Sequence, residues 1–241
     1  MGLSTEVSAV AMRFHGGLIA ATKKGFALLD PETGKLSFIV DPEVNLPGNR
    51  FNDGKCDSAG SFIAGTMDEQ EKRPMGTMYR LDADLSVSPL FGDYIVCNGP
   101  AFSPDGRILY FSNSTQREIL EFDYDPEKGH VGNSSVFAKI PDTAGYPDGL
   151  SVDAEGYIWC AHWDGWRLTR YAPDGREDLI IDFPVPRVTS CVFGGRHLDT
   201  LFVTTARTGL GDSALSSAPL SGSLFAFKPG VLGLPTQRFA G

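Results

Sequence analysis

The sequence predicts an all-β protein, a β-propeller with five visible blades, and three observations support this fold class. Helical periodicity is scarce, whereas short runs of β-branched and aromatic residues are bounded by Gly, Pro and Asp along the whole chain. The same unit of strands and turns recurs at a nearly constant spacing. The 28 Gly and 16 Pro are spread along the chain and mark no linker. We therefore expect a single domain over residues 1–241.

Each predicted blade opens with two strands joined by a turn that ends in glycine. The turn glycines Gly17, Gly60, Gly106 and Gly156 are 43, 46 and 50 residues apart, and residues 192–206 form a degenerate fifth copy. A third strand, a turn of the DPETG, DPEKG or APDG kind and a fourth strand complete the unit. Four strands in about 45 residues are typical of a propeller blade. The alternative is a β-sandwich, which has no such fixed repeat.

The two ends of the sequence are also predicted to match whole blades. Residues 8–14 are predicted to form an innermost strand, and residues 236–241 an outermost one. Five blades leave either a tight ring or an open arc. Because an open arc exposes two sheet edges, it would favour self-association.

Charge and composition exclude several classes of function. The net charge of −9 gives no basic face for phosphates, so we expect no nucleic-acid partner. No apolar run is long enough to span a membrane and the N-terminus does not resemble a signal peptide, so we expect a cytoplasmic protein without a membrane partner. The four cysteines form no CxxC pair, and most have apolar neighbours, which predicts reduced, buried thiols.

Polar residues followed by glycine recur at the starts of the predicted innermost strands. The pairs are Asp53-Gly54, Asn98-Gly99 and Asp148-Gly149. Innermost strands line the axis of a propeller, so these side chains are expected to converge at one mouth of the channel. Their oxygens suit a hard cation such as Ca²⁺, and Zn²⁺ or Mn²⁺ can use the same atoms. The alternative is that these dipeptides only shape turns, which is their commonest use.

Four stretches of the sequence carry a resemblance to a known family. They are NRFNDGKCDSAGSFIAGTM, NGPAFSPDGRILYFSNS, YPDGLSVDAEGYIWCAHWDGWRLTRYAPDG and GSLFAFKPGVLGLP. In this order they resemble the gluconolactonase/regucalcin (senescence marker protein)/luciferin-regenerating enzyme family, from about Ser8 to Gly241. The resemblance implies a six-bladed propeller with one divalent metal ion at its axis, often acting as a hydrolase of sugar lactones.

The same resemblance implies roles for four residues. Asn98 and Asp148 match the metal ligands, and Asp148 also matches the catalytic acid/base. Arg50 and Asn52 match substrate contacts, while Asp53 is expected to cap the turn or support the ligands. The ion is expected to be Ca²⁺ or Zn²⁺, with Mn²⁺ and Mg²⁺ as further candidates.

Together these roles predict metal-dependent hydrolysis of a sugar lactone by a metal-activated water. The family's third protein ligand is a glutamate in an N-terminal EGP-type motif, which this sequence does not contain, so the first blade of the family is expected to be missing. The alternative prediction is a non-catalytic or weakly metal-binding propeller, since hard-cation affinity depends on ligand charge. His162 is expected either to contact substrate or, as buried or surface histidines commonly do, to serve packing alone.

Overall fold

The computed structural model describes residues 3–241, and these residues are almost entirely β-strand and turn. They form five antiparallel sheets in chain order, four of them with four strands and the last with three. The chain divides into two compact units. The first contains the chain up to Pro100, Phe122–Asn133 and Thr236–Gly241, and the second contains Ala101–Glu121 and Ser134–Pro235.

The first two sheets keep their strands in sequence order. The first sheet comprises β1 (Val7–Met12), β2 (Leu18–Thr22), β3 (Gly25–Leu29) and β4 (Leu36–Val40). The second comprises β5 (Asn49–Cys56), β6 (Phe62–Asp68), β7 (Gly76–Leu81) and β8 (Val87–Tyr94).

The remaining three sheets continue the same plan. The third comprises β9 (Cys97–Phe102), β10 (Ile108–Asn113), β11 (Glu118–Asp125) and β12 (His130–Lys139). The fourth comprises β13 (Tyr146–Val152), β14 (Ile158–Trp163), β15 (Arg167–Tyr171) and β16 (Glu177–Asp182). The fifth comprises β17 (Val188–Gly194), β18 (Thr200–Thr205) and β19 (Phe225–Phe227). Short helices lie at Ser114–Gln116, Asp142–Ala144 and Asp212–Ser217 (α1). Among residues 3–241, no helix has the length and apolar character needed to cross a membrane.

The predicted turn glycines adopt the backbone conformation for which glycine is suited. Gly60 and Gly156 have φ of +86° and +83°, a region that costs other residues free energy. At Gly60 a side chain would also collide with Ala240, since an added Cβ would lie 2.7 Å from the Ala240 Cβ. The glycine spacing found in the sequence therefore reports a real repeat of tight turns.

The core of the first unit is aromatic and lies between its sheets. Phe26, Phe51 and Phe62 are at most 2% exposed, and the Phe26 and Phe51 rings pack with centroids 4.5 Å apart. Burying one such side chain contributes roughly 1.5–3 kcal/mol.

The second unit has two cores because both faces of β14 are buried. Ile158 and Cys160 belong to one cluster, and Trp159 and Ala161 to the other. Alternate strand residues point to opposite faces, so an uninterrupted apolar run buries both. The prediction of buried, reduced cysteines is confirmed, since all four are buried and free.

The prediction for residues 236–241 is wrong. The fifth sheet has three strands, and this segment is not among them. Phe239 instead makes a parallel bridge with Arg13 in the first unit and is fully buried in that core. The pattern of a strand is local, whereas its pairing partner is distant in sequence, so the pattern alone did not identify the partner.

Candidate active site

The first strands of four sheets are interrupted near their starts by a β-bulge. In the second sheet Phe51 pairs with Thr66 and Asp53 with Gly65, which leaves Asn52 as an extra residue. Bulges redirect side chains and often accompany functional sites.

The same interruption recurs at equivalent places in the other sheets. In the fourth sheet Asp148 and Gly149 face a single residue of β14, and in the fifth Thr189 is the extra residue. Ser8 takes this position in the first sheet.

The bulges correct the alignment of the polar residues by one position. Asn52, Asn98 and Asp148 each lie eight positions before their turn glycines, at 60, 106 and 156. Asn52, and not Asp53, is therefore the counterpart of Asp148. Asp53 was matched to the other two residues because glycine follows each of them, whereas the spacing to the turn glycine selects Asn52.

Asp53 instead organises the backbone, as expected for a residue that supports the site. Its carboxylate accepts hydrogen bonds from the backbone N–H groups of Gly54 (2.7 Å) and Gly99 (3.2 Å). Burial raises the pKa of Asp53, and the nearby Lys55 charge opposes that rise. The bond from Gly54 lies within β5, and the bond from Gly99 ties β5 to the start of β9.

Three of the four predicted site residues form one hydrogen-bonded chain in the first unit. The Arg50 guanidinium donates to Asn52 Oδ1 (3.0 Å), and Asn52 Nδ2 donates to Asn98 Oδ1 (2.6 Å). Asn52 Nδ2 also donates to the Cys97 carbonyl (3.0 Å), and Arg50 to that of Phe51 (2.9 Å). These contacts fix both amide orientations, so that the carbonyl oxygens of Asn52 and Asn98 are the accepting atoms.

Asp148 belongs to the second unit, where the backbone around it is held firmly. Its carbonyl accepts a hydrogen bond from the Ser112 hydroxyl, and the Pro147 carbonyl one from Ser114, both at 2.7 Å. Gly149 packs against Ser190 so closely that an added Cβ would meet Ser190 Oγ at 2.3 Å. The Asp148 side chain is half-buried on this clamped backbone.

The oxygen atoms of Asn98 and Asp148 are of the type that a hard divalent cation prefers. Asn98 supplies an amide oxygen whose orientation is set by Asn52, and Asp148 supplies a carboxylate. The donor chemistry therefore fits Ca²⁺ better than Zn²⁺, which is more often bound by nitrogen and sulfur. Over residues 3–241 there is no cluster of three His, Cys, Asp or Glu side chains placed to hold a metal. That one ion contacts both residues stays a prediction.

His162 is a packing residue and does not line a binding surface. It is fully buried, and its Nδ1 lies 2.9 Å from the Ala144 carbonyl. Burial lowers the pKa of His162 to about 3, so the ring is neutral at neutral pH.

Comparison with known proteins assigns this fold and these motifs to a family. Residues 1–207 match the family model described as the SMP-30/gluconolactonase/LRE-like region. The chain is 39% identical to an L-arabinolactonase from Azospirillum brasilense over 93% of this chain and 74% of that protein. It is 34% identical to regucalcin from Oryctolagus cuniculus over all of this chain and 83% of that one.

A solved structure agrees with the same assignment. A regucalcin from Agrobacterium tumefaciens, described as a calcium-binding protein, superposes with a TM-score of 0.94 at 31% identity, covering all of this chain and 82% of that one. The predicted β-propeller fold class is thereby confirmed. The chain belongs to the SMP-30/gluconolactonase/LRE-like family, which includes proteins named lactonases.

Proposed function

We propose that the protein hydrolyses a sugar lactone with the help of a bound divalent cation. The observation that carries this proposal is the hydrogen-bonded chain from Arg50 through Asn52 to Asn98. It joins the two residues expected to bind substrate to one expected to bind metal. The similarity to an L-arabinolactonase supports the same reaction class.

Arg50 and Asn52 are the proposed substrate contacts. A guanidinium is a planar fork of donors, suited to the hydroxyl and carbonyl oxygens of a lactone. Asn52 is held in one orientation by its own hydrogen bonds, so substrate binding does not have to order it.

Asp148 is the proposed acid/base. A water adds through its oxygen to the lactone carbonyl carbon while the Asp148 carboxylate takes one of its protons. The ring C–O bond then breaks, and the same proton passes to the departing ring oxygen, which becomes a hydroxyl. The product is the open-chain hydroxy acid, and Asp148 returns to its starting state.

Asn98 and Asp148 are the metal ligands that the family resemblance implies. A bound divalent cation would polarise the carbonyl and lower the pKa of water. Since the donor atoms are oxygens, we propose Ca²⁺ as the first candidate, in line with the calcium-binding description of the Agrobacterium protein.

A second candidate function is a non-catalytic propeller that binds metal weakly. It is favoured by the finding that, over residues 3–241, no three acidic, His or Cys side chains are placed to hold a metal ion together. Weak binding would follow from the low negative charge that one carboxylate provides.

The test measures the hydrolysis of D-glucono-δ-lactone from the rate of acid release, and the uncatalysed rate is subtracted. Ca²⁺, Zn²⁺, Mn²⁺ or Mg²⁺ is added in turn. We expect Asp148→Asn to lower kcat by about 10²–10⁴-fold while the melting temperature stays close to that of the native chain. The matched control is Asp174→Asn, since Asp174 is an exposed residue of a turn. Equal rates for the native chain and Asp148→Asn would remove the catalytic proposal and favour the second candidate.

A further inference from the structure

The hydrogen bonds of the Arg50 guanidinium end on its own strand. Arg50 is the second residue of β5 and is half-buried. Its Nη1 donates to the Phe51 carbonyl (2.9 Å) and to Asn52 Oδ1 (3.0 Å), and both acceptors belong to β5. A long, flexible side chain that is bonded to its own strand points where that strand directs it. The direction of Arg50 therefore depends on how this end of β5 is held.

A buried carboxylate, that of Glu43, ties this end of β5 to the next two strands of the second sheet. Glu43 is 8% exposed and lies in the segment between β4 and β5. Its Oε2 accepts from Asn49 Nδ2 of β5 (3.0 Å), and its Oε1 accepts from the hydroxyls of Thr66 in β6 (2.9 Å) and Tyr79 in β7 (3.2 Å). One carboxylate thus joins three strands, and hydrogen bonds to an ionised group are stronger than neutral ones.

The three donors to this carboxylate hold the residues on both sides of Arg50. Asn49 comes directly before Arg50 in β5. Phe51 comes directly after it and pairs with Thr66 across the sheet. The Phe51 ring also packs edge-on against Tyr79, with the ring centroids 6.2 Å apart. Arg50 therefore lies between two residues that both depend on the same buried carboxylate.

Charge adds to this effect. Glu43 and Arg50 line one pocket, whose cavity volume is about 190 Å³. Opposite charges attract more strongly in a partly enclosed space than in bulk water. The negative charge of Glu43 therefore favours keeping the guanidinium at the pocket.

We infer that Glu43 is a positioning residue for Arg50. It acts through Asn49 and the strand pairing, and not by contact with the substrate. This inference rests on the proposed function, in which Arg50 is a substrate contact. A purely structural role would instead make Glu43 equivalent to Asp57, a buried carboxylate at the other end of β5 that also accepts three hydrogen bonds.

Steady-state kinetics of Glu43→Ala with D-glucono-δ-lactone test this inference. We expect KM to rise about tenfold with kcat nearly unchanged, because a misaligned binding group loses binding energy without altering the chemical step. In an Arg50→Ala background, Glu43→Ala should raise KM no further. Asp57→Ala is the matched control, which should lower the free energy of unfolding and leave KM unchanged. A rise in KM of equal size in both backgrounds, or in the control, would overturn the inference.

A second variant covers the case in which Glu43→Ala does not fold. Asn49→Ala removes the link between Glu43 and the residue before Arg50, and it leaves both hydroxyl donors of Glu43 in place. We expect the same rise in KM. A KM equal to that of the native chain would overturn the inference.

A measurement without substrate separates this inference from the proposed function. The order parameter of the Arg50 Nε–H bond is measured by NMR relaxation, and its signal is identified by its loss in Arg50→Lys. We expect the value to fall below about 0.6, the range of flexible groups, in Glu43→Ala and Asn49→Ala but not in Asp57→Ala. This result supports the inference even where no lactone is hydrolysed. Equal order parameters in the native chain and in the Glu43 and Asn49 variants overturn it even where the lactone is hydrolysed.

Discussion

Two aspartates five positions apart in the second unit show how one strand serves two purposes. Asp148 lies at the bulged start of β13, is half-buried and sits on a backbone held by Ser112. Asp153 follows the end of the same strand and is fully buried. Its carboxylate accepts hydrogen bonds from the Trp159 indole and the Arg170 guanidinium, both at 2.9 Å. The bulged end holds the residue proposed as the acid/base, and the turn end holds one that is bonded to buried side chains.

The first unit repeats this contrast along β5. Asn52 lies at the bulged end and contacts Asn98. Asp57 lies at the turn end, is fully buried and accepts from the Tyr124 hydroxyl (2.7 Å) and the Ser61 backbone N–H (2.8 Å). Asp57 is fully buried, whereas Asn52 is only half-buried, so the turn end is closed to solvent and the bulged end is open to it. Mutations at either end of the strand test this difference.

The largest expected effect on stability comes from the turn end. Asp153→Ala should lower the free energy of unfolding by about 1–3 kcal/mol, because the buried Trp159 indole loses its acceptor and Arg170 keeps only Glu155 and Asp178 of its three carboxylate partners. Urea unfolding followed by tryptophan fluorescence measures this loss. Asp174→Ala is the control, since it removes only an exposed ion pair worth about 0–1 kcal/mol. A similar small loss for both variants would contradict a structural role for Asp153.

A second prediction contrasts two arginines of the first unit. Arg50→Lys should raise KM for the lactone by about 10–100-fold with little change in stability, because a lysine cannot reproduce the planar fork that reaches Asn52. Arg80→Lys should lower the free energy of unfolding and leave KM for the lactone unchanged. Arg80 is 6% exposed, and it donates to Asp82 (2.6 Å) and to the Pro126 carbonyl (2.8 Å).

Steady-state kinetics and urea unfolding of both variants give the answer. An Arg50→Lys variant that loses stability and keeps its KM would place Arg50 with the structural network. In that case the bulged end of β5 would stabilise the fold, as the turn end does.

The repeat of glycine turns was sufficient to predict the fold class, because a tight turn needs the same residue type in every blade. The motif containing Arg50 and Asn52 also placed both side chains in one neighbourhood. The sequence did not reveal that Asn52 occupies a bulge, since an inserted residue changes pairing without changing composition. Nor did it single out Glu43, whose importance depends on contacts with Asn49 and Thr66 that only the fold creates.

The smallest predicted effect concerns the bulged end of β13, which also carries a buried titratable ring. His162 pairs with Pro147, next to Asp148, yet it is fully buried. Threonine takes the equivalent position in three other sheets, where Thr22, Thr66 and Thr205 pair with the first strands. His162→Thr should therefore fold. The difference in stability between the native chain and His162→Thr should then report the effect of the imidazole alone.

The pH dependence of stability shows in which direction the imidazole changes the free energy of unfolding. Burial lowers the pKa of His162 from 6.5 to about 3. Below pH 6.5 the unfolded chain therefore binds a proton on this ring that the folded chain does not bind. The contribution of His162 is complete above pH 6.5 and is lost as the pH falls towards 3. Between pH 7.5 and 5.5 the native chain should lose about 1.4 kcal/mol more than His162→Thr in urea unfolding. Parallel curves would mean that the ring titrates in the folded chain as it does in the unfolded chain, and His162 would then return to the candidate site beside Asp148.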